Sequence, residues 1–133
     1  MADILIVDDE PAVQATIRIV LERAGHRVVA ADDGSRGLAL CEAEPFDLLI
    51  LDIFMPGMDG LETMRHILER RPQLPILMVS GRPLSWDPAT APDFLKIATR
   101  LGAIASLPKP FKPADLLAAV KGCLEAPKRP FAE

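Results

Sequence analysis

The chain has 133 residues, half of them hydrophobic, and a formal net charge of −4. This length and composition suit one domain with a real core. The acidic balance gives no basic face for nucleic acid, and no apolar run approaches the roughly 20 residues that span a membrane. The first residues lack the basic segment of a signal peptide. We therefore expect a cytoplasmic protein with neither nucleic acid nor membrane as a partner.

Short apolar runs and stretches of helical periodicity alternate five times along the chain. The predicted strands cover residues 4–7, 27–31, 46–51, 75–79 and 103–107. The predicted helices carry apolar stripes over residues 13–21, 38–41, 61–68, 94–101 and 116–124. This alternation predicts an α/β domain in which a parallel sheet with right-handed crossovers is covered by helices on both faces. We expect the domain to span residues 1–125, with a loose C-terminal tail over residues 126–133.

Polar side chains stand where the predicted strands end. Asp8 and Asp9 follow the first strand, Asp52 ends the third, Ser80 ends the fourth and Lys109 follows the fifth. The carboxyl ends of parallel strands lie on one edge of the sheet, so these groups should converge. Crowded carboxylates repel each other, and a hard cation such as Mg²⁺ relieves that repulsion while also binding phosphate oxygens. A carboxylate in such a site can attack phosphorus to form an aspartyl phosphate, whose other oxygens the ammonium and hydroxyl would hold.

Taken singly, each of these residues has a plainer explanation. Asp8 and Asp9 suit helix capping, Ser80 suits a turn, and Lys109 suits an exposed surface. The combination at successive strand ends favours the shared site.

The motifs in this order resemble the receiver domain of bacterial two-component response regulators, over residues 3 to about 125. The resemblance is carried by Asp8-Asp9, by Asp52 with Met55-Pro56-Gly57-Met58-Asp59-Gly60, by Ser80-Gly81 and by Lys109-Pro110-Phe111. It implies a doubly wound, flavodoxin-like (βα)5 three-layer sandwich with sheet order 2-1-3-4-5. It also implies a phosphorylation-controlled binding module, not an enzyme. A sensor histidine kinase or phosphotransfer protein would supply the phosphoryl group, and an unknown downstream protein would receive the signal.

The resemblance implies a role for each site residue. Asp52 would be the phosphoacceptor. Mg²⁺ would be held by Asp9 directly, by Asp8 largely through water, by Asp52 and by the backbone carbonyl of Phe54.

Two further roles, and two departures, concern the relay of the signal. The resemblance implies that Ser80 is a switch hydroxyl and that Lys109 pairs with phosphoryl oxygens, next to a cis bond to Pro110. Many receivers carry an aromatic residue three positions before this lysine, but here that residue is Ser106. The segment 82–93 is also several residues longer than usual. We therefore expect that segment to change most on activation.

Two alternatives have to be weighed against this interpretation. A phosphatase of the haloacid-dehalogenase type uses an Asp-x-Asp motif, whereas this chain has Asp52-Ile53-Phe54. A degenerate receiver would act unphosphorylated, which the retained Asp9, Asp52 and Lys109 argue against. No output domain follows in the sequence, so the expected protein is a stand-alone receiver.

Overall fold

A computed structural model describes residues 1–53, 60–80 and 103–126, with Ser80 described by its backbone alone. Its strands are β1 Asp3–Val7, β2 Arg27–Ala31, β3 Leu48–Asp52, β4 Ile76–Ser80 and β5 Ala105–Pro108. Its helices are α1 Pro11–Arg23, α2 Gly34–Ala43, α3 Gly60–Arg70 and α4 Pro113–Glu125. The helix predicted over residues 94–101, and most of the predicted tail, lie outside the described residues.

The five strands form one parallel sheet in the order β2-β1-β3-β4-β5. Strand β3 is central, with Ile4 of β1 paired to Leu48 on one side and Val79 of β4 paired to Asp52 on the other. All five β3 residues are buried, as its continuous apolar sequence predicts for a strand covered on both faces. The predicted doubly wound, flavodoxin-like topology is confirmed.

Alternate residues of β1 supply two separate cores, one on each face of the sheet. Ile4 and Ile6 pack with α1 and α4, on the face that includes Ile17 and Leu116. Leu5 and its neighbours on the opposite face pack with α2 and α3, in the cluster Leu5, Val7, Cys41, Met64 and Ile67. Because successive strand side chains point to opposite faces, this division makes three layers. None of the helices in the described ranges is long and apolar enough to cross a bilayer.

The ends of α1 show which local signals were sufficient. Pro11 occupies the first helical position, and the chain leaves the helix through Gly25, whose φ of 94° favours glycine. Glu10 is the N-cap residue, but its side chain makes no capping hydrogen bond. That carboxylate lies near Lys109 instead.

Some predicted strand limits also need correction. The third strand begins at Leu48, not at residue 46, because its ladder with β1 starts at the Ile4–Leu48 pair. Phe46 packs against a core from outside the ladder. The fifth strand begins at Ala105, not at residue 103, because its pairing with β4 starts there. Side-chain hydrophobicity predicts burial, and the strand limits depend on the neighbouring backbone.

Candidate functional site

Two buried carboxylates lie at the carboxyl edge of the sheet. Asp8 follows β1 and is 0% exposed, and Asp52 ends β3 and is 2% exposed. They come together because β1 and β3 are adjacent and parallel. The next two acids, Asp9 and Glu10, are exposed at the same edge. The sequence predicted this meeting of Asp8, Asp9 and Asp52.

Lys109 reaches this group from the end of β5. Its Nζ lies 2.9 Å from Asp8 Oδ2 and 3.4 Å from Asp52 Oδ2, and the lysine side chain is only 12% exposed. Glu10 Oε1 lies 3.5 Å from the same Nζ. The bond between Lys109 and Pro110 is cis, as the resemblance implies. One ammonium group therefore contacts three carboxylates.

Burial and charge act in opposite directions on this group. Burial raises the pKa of Asp8 above 3.8, although the hydrogen bonds from Lys109 and from the backbone N–H of Glu10 oppose that rise. Burial lowers the pKa of Lys109, but the hydrogen bond to Asp8 and the charges of Asp52, Asp8 and Glu10 outweigh it. The net result is a lysine pKa above 10.5. The carboxylates therefore hold Lys109 in its charged form.

Glu10 is a further member of the site, and it was not predicted from the sequence. Its backbone N–H donates to Asp8 Oδ1 at 2.8 Å, which fixes the carboxylate that Lys109 contacts from the other oxygen. Its own carboxylate faces Lys109 and not the end of α1. The third acid in the run Asp8-Asp9-Glu10 was the available signal.

Gly60 contributes through its lack of a side chain. Its backbone N–H donates to the carbonyl of Ile53 at 2.9 Å, so α3 begins directly against the end of β3. A Cβ at Gly60 would lie 2.2 Å from the carbonyl oxygen of Asp52 and 2.6 Å from Cα of Ile53. Only glycine permits this approach. The predicted motif contained Gly60, but its contact with the Asp52 backbone could not be inferred from sequence.

The acidic residues fit a small hard cation. One carboxylate oxygen from each of Asp8, Asp9, Glu10 and Asp52 can be chosen so that all four lie within 4.8 Å of one another. Two ligands of one Mg²⁺ ion lie at most about 4.2 Å apart, twice a bond of about 2.1 Å. The exposed Asp9 and Glu10 can close the remaining difference of about 0.6 Å or bind through water.

Three parts of the predicted site cannot be placed in this way. Phe54, whose carbonyl was predicted as a metal ligand, and the segment 82–93 lie outside the described residues. For Ser80 the backbone ends β4 and pairs with Pro108, and its hydroxyl is not described. Ser106, which stands where many receivers have an aromatic residue, is exposed on β5.

The comparisons with known proteins agree with the geometry. The family described as "Response regulator receiver domain" matches residues 4–121. The alkaline phosphatase synthesis transcriptional regulatory protein PhoP of Bacillus subtilis is 34% identical over 121 residues, covering 91% of this chain and 48% of PhoP. The transcriptional regulatory protein CpxR of Escherichia coli is 33% identical, with 93% of this chain and 50% of CpxR covered. The chain thus spans about half the length of these relatives.

Solved structures of similar length share the fold. The chemotaxis protein CheY4 of Vibrio cholerae is 31% identical with a TM-score of 0.81, covering 92% of this chain and 98% of CheY4. The receiver domain of NtrX from Brucella abortus is also 31% identical, with a TM-score of 0.84 and coverage of 94% and 100%.

Proposed function

Because this chain belongs to the response regulator receiver domain family, we propose that Asp52 accepts a phosphoryl group from a sensor histidine kinase or a phosphotransfer protein. A carboxylate oxygen of Asp52 forms a bond to phosphorus as the phosphorus–nitrogen bond of the donor histidine breaks. The histidine nitrogen keeps the bonding electrons. The product is an aspartyl phosphate on the receiver.

The observation that carries this proposal is the buried Asp8–Lys109–Asp52 arrangement. Lys109 Nζ lies within 3.4 Å of an oxygen of each aspartate, so a cation already stands beside the proposed acceptor. An ammonium in that position can pair with an oxygen of the transferred group. Bound Mg²⁺ would neutralise phosphoryl charge, held by Asp8, Asp9, Asp52 and the carbonyl of Phe54.

The proposed output is phosphorylation-dependent binding to a downstream protein. Ser80 would turn its hydroxyl towards the phosphoryl group, and residues 82–93 would respond. Three statements stay predictions from the sequence. They are action as a stand-alone regulator, a cytoplasmic location, and the division into a domain over 1–125 and a tail over 126–133. The phosphatase alternative lacks the second carboxylate that it requires two residues after Asp52. The degenerate-receiver alternative gives no role to Asp9, Asp52 and Lys109, which this chain retains.

Labelling with a small acyl phosphate and Mg²⁺ tests the proposal. The protein should gain one phosphoryl group, labile at high pH, that intact-mass measurement detects. Asp52→Asn should lose the label and keep the circular dichroism spectrum of the fold. Asp47→Asn is the matched control. Asp47 is an exposed acid whose carboxylate accepts a hydrogen bond from the backbone N–H of Asp3, at the start of β1 and not at the carboxyl edge of the sheet. A label that persists on Asp52→Asn contradicts the assignment. Rapid multiple turnover of phosphate esters would favour the phosphatase alternative.

A further inference from the structure

Gln14 connects three separate segments beneath the acidic site. It lies in the first turns of α1, and its side-chain nitrogen Nε2 donates to the carbonyl oxygen of Asp8. The same nitrogen lies 3.2 Å from the carbonyl oxygen of Ala31, at the end of β2, and 3.0 Å from Oδ1 of Asp32. All three neighbours are acceptors, so the NH₂ group of the amide must face them.

The contact with Asp8 is made to the peptide group that joins Asp8 to Asp9. The N–H of Asp8 already donates to the carbonyl of Ala31 at 3.1 Å, which continues the β1–β2 ladder by one residue. Gln14 holds the carbonyl on the other side of Asp8. The direction of that peptide plane sets where the chain places Asp9, whose side chain is exposed.

We propose that Gln14 is a positioning residue for divalent-cation binding: its amide, itself anchored by Asp32, fixes the Asp8–Asp9 peptide so that both carboxylates reach one ion. The inference rests on the proposed function, since it takes this acidic cluster as the Mg²⁺ site. Groups that orient metal ligands by hydrogen bonds typically change metal affinity by 10- to 100-fold when removed.

The same helix supplies a matched control. Thr16 is exposed, and its hydroxyl donates to the carbonyl of Ala12 at 2.9 Å, within α1 itself. Thr16→Val removes a side-chain hydrogen bond of similar length without touching the acidic edge. Gln14→Met keeps the length of the side chain and removes both donors.

Calorimetric titration of Mg²⁺ into the unphosphorylated protein tests the inference, with a thermal melt of each variant. The wild type should bind Mg²⁺, and Asp9→Ala should lose most of that binding. Gln14→Met should raise the Mg²⁺ dissociation constant on the order of tenfold, whereas Thr16→Val should stay within roughly twofold of the wild type.

Asp32 provides a second test through the anchor of the amide. Asp32→Ala should weaken Mg²⁺ binding in the wild-type background and much less in the Gln14→Met background, because the shared hydrogen bond is already lost. If Gln14→Met does not fold, Asp32→Ala alone decides, and an unchanged dissociation constant overturns the inference.

The failures of the two ideas are distinguishable. Wild-type protein that binds no Mg²⁺ contradicts the proposed function itself. Wild-type protein that binds Mg²⁺, together with a folded Gln14→Met variant of equal affinity, overturns only the positioning role. A Gln14→Met variant with a lower melting temperature but unchanged affinity also overturns it, because Gln14 would then be purely structural.

Discussion

Replacing Gly60 with alanine perturbs the Asp52 backbone without altering any charged group. The new Cβ would lie 2.2 Å from the carbonyl oxygen of Asp52, whereas close carbon–oxygen contacts lie at about 3.3 Å or more. The start of α3 and the end of β3 must therefore separate by about 1 Å. The obstructing atoms are backbone atoms of Asp52, at the end of the buried strand β3, and of Ile53 directly after it, so no side-chain rotation can relieve the contact.

The expected cost follows from two opposing effects. Overpacking costs about 1–3 kcal/mol in the free energy of unfolding. The lower entropy of an unfolded chain with alanine returns about 0.4–1 kcal/mol. The difference between these two effects is a loss of about 1 kcal/mol for Gly60→Ala, which urea denaturation should show. Because a misplacement of 1 Å at a reacting group can cost about 100-fold in rate, labelling of Asp52 by a small acyl phosphate should slow by roughly that factor.

Gly122→Ala is the matched control. A Cβ at Gly122 in α4 meets nothing within 4 Å. This substitution should raise stability by about 0.5–1 kcal/mol, because alanine favours a helix interior, and leave the labelling rate unchanged. A Gly60→Ala variant that matches the wild type in both urea midpoint and labelling rate would contradict the close approach of Gly60 to the Asp52 backbone.

Three further predictions concern the ion pairs of the site. In EDTA, Lys109→Met should lower the free energy of unfolding in urea by about 3 kcal/mol, because Asp8 and Asp52 lose their shared cation. Added Mg²⁺ should recover much of that loss. Lys112→Met, at an exposed lysine, is the control and should leave the urea curves in EDTA and in Mg²⁺ unchanged. Because the pKa of Asp8 is higher in the folded protein than in the unfolded chain, the folded protein holds the carboxyl proton to higher pH. The contribution of Asp8 to stability is therefore full below about pH 3.8 and declines as pH rises through the folded-state pKa. In a plot of urea midpoint against pH, the Asp8→Asn variant should lack this decline at acidic pH. The contribution of Lys109 should persist up to its unfolded pKa, 10.5, and disappear as pH rises through the higher folded-state value, a limb absent from Lys109→Met.

Residues at strand ends were predictable because parallel topology alone brings them to one edge. Asp8, Asp9 and Asp52 each follow or end an apolar run, and five alternations of strand and helix leave few other arrangements. The sequence therefore predicted the sheet and three of the four clustered acids, Asp8, Asp9 and Asp52. Lys109 was predicted for the same reason. The sequence around it does not give the distance between its Nζ and the carboxylate of Asp8.

The contacts that were missed depend on distances between segments remote in sequence. Gln14 looks like an ordinary polar residue of α1, and its three acceptors lie on two other segments of the chain. Gly60 looks like a turn residue until the backbone of Asp52 is placed next to it. Glu10 resembles a helix cap because capping preferences depend only on residues nearby in sequence. Its actual contact is with the charge of Lys109, 99 residues away.

The central position of β3 also has a consequence for hydrogen exchange. Its amides are paired with β1 and β4 on its two sides, and all five of its residues are buried. Exchange at such positions normally requires the whole domain to open, whereas the exposed Asp9 and Glu10 lie in the short connection between β1 and α1, which can open locally. The acceptor side of the site should therefore stay intact until the domain unfolds globally. Gln14 holds the Asp8–Asp9 peptide, but the exposed side chains of Asp9 and Glu10 can sample several arrangements within the folded protein. A cation would therefore slow exchange next to these two residues and leave the amides of β3 limited by global unfolding.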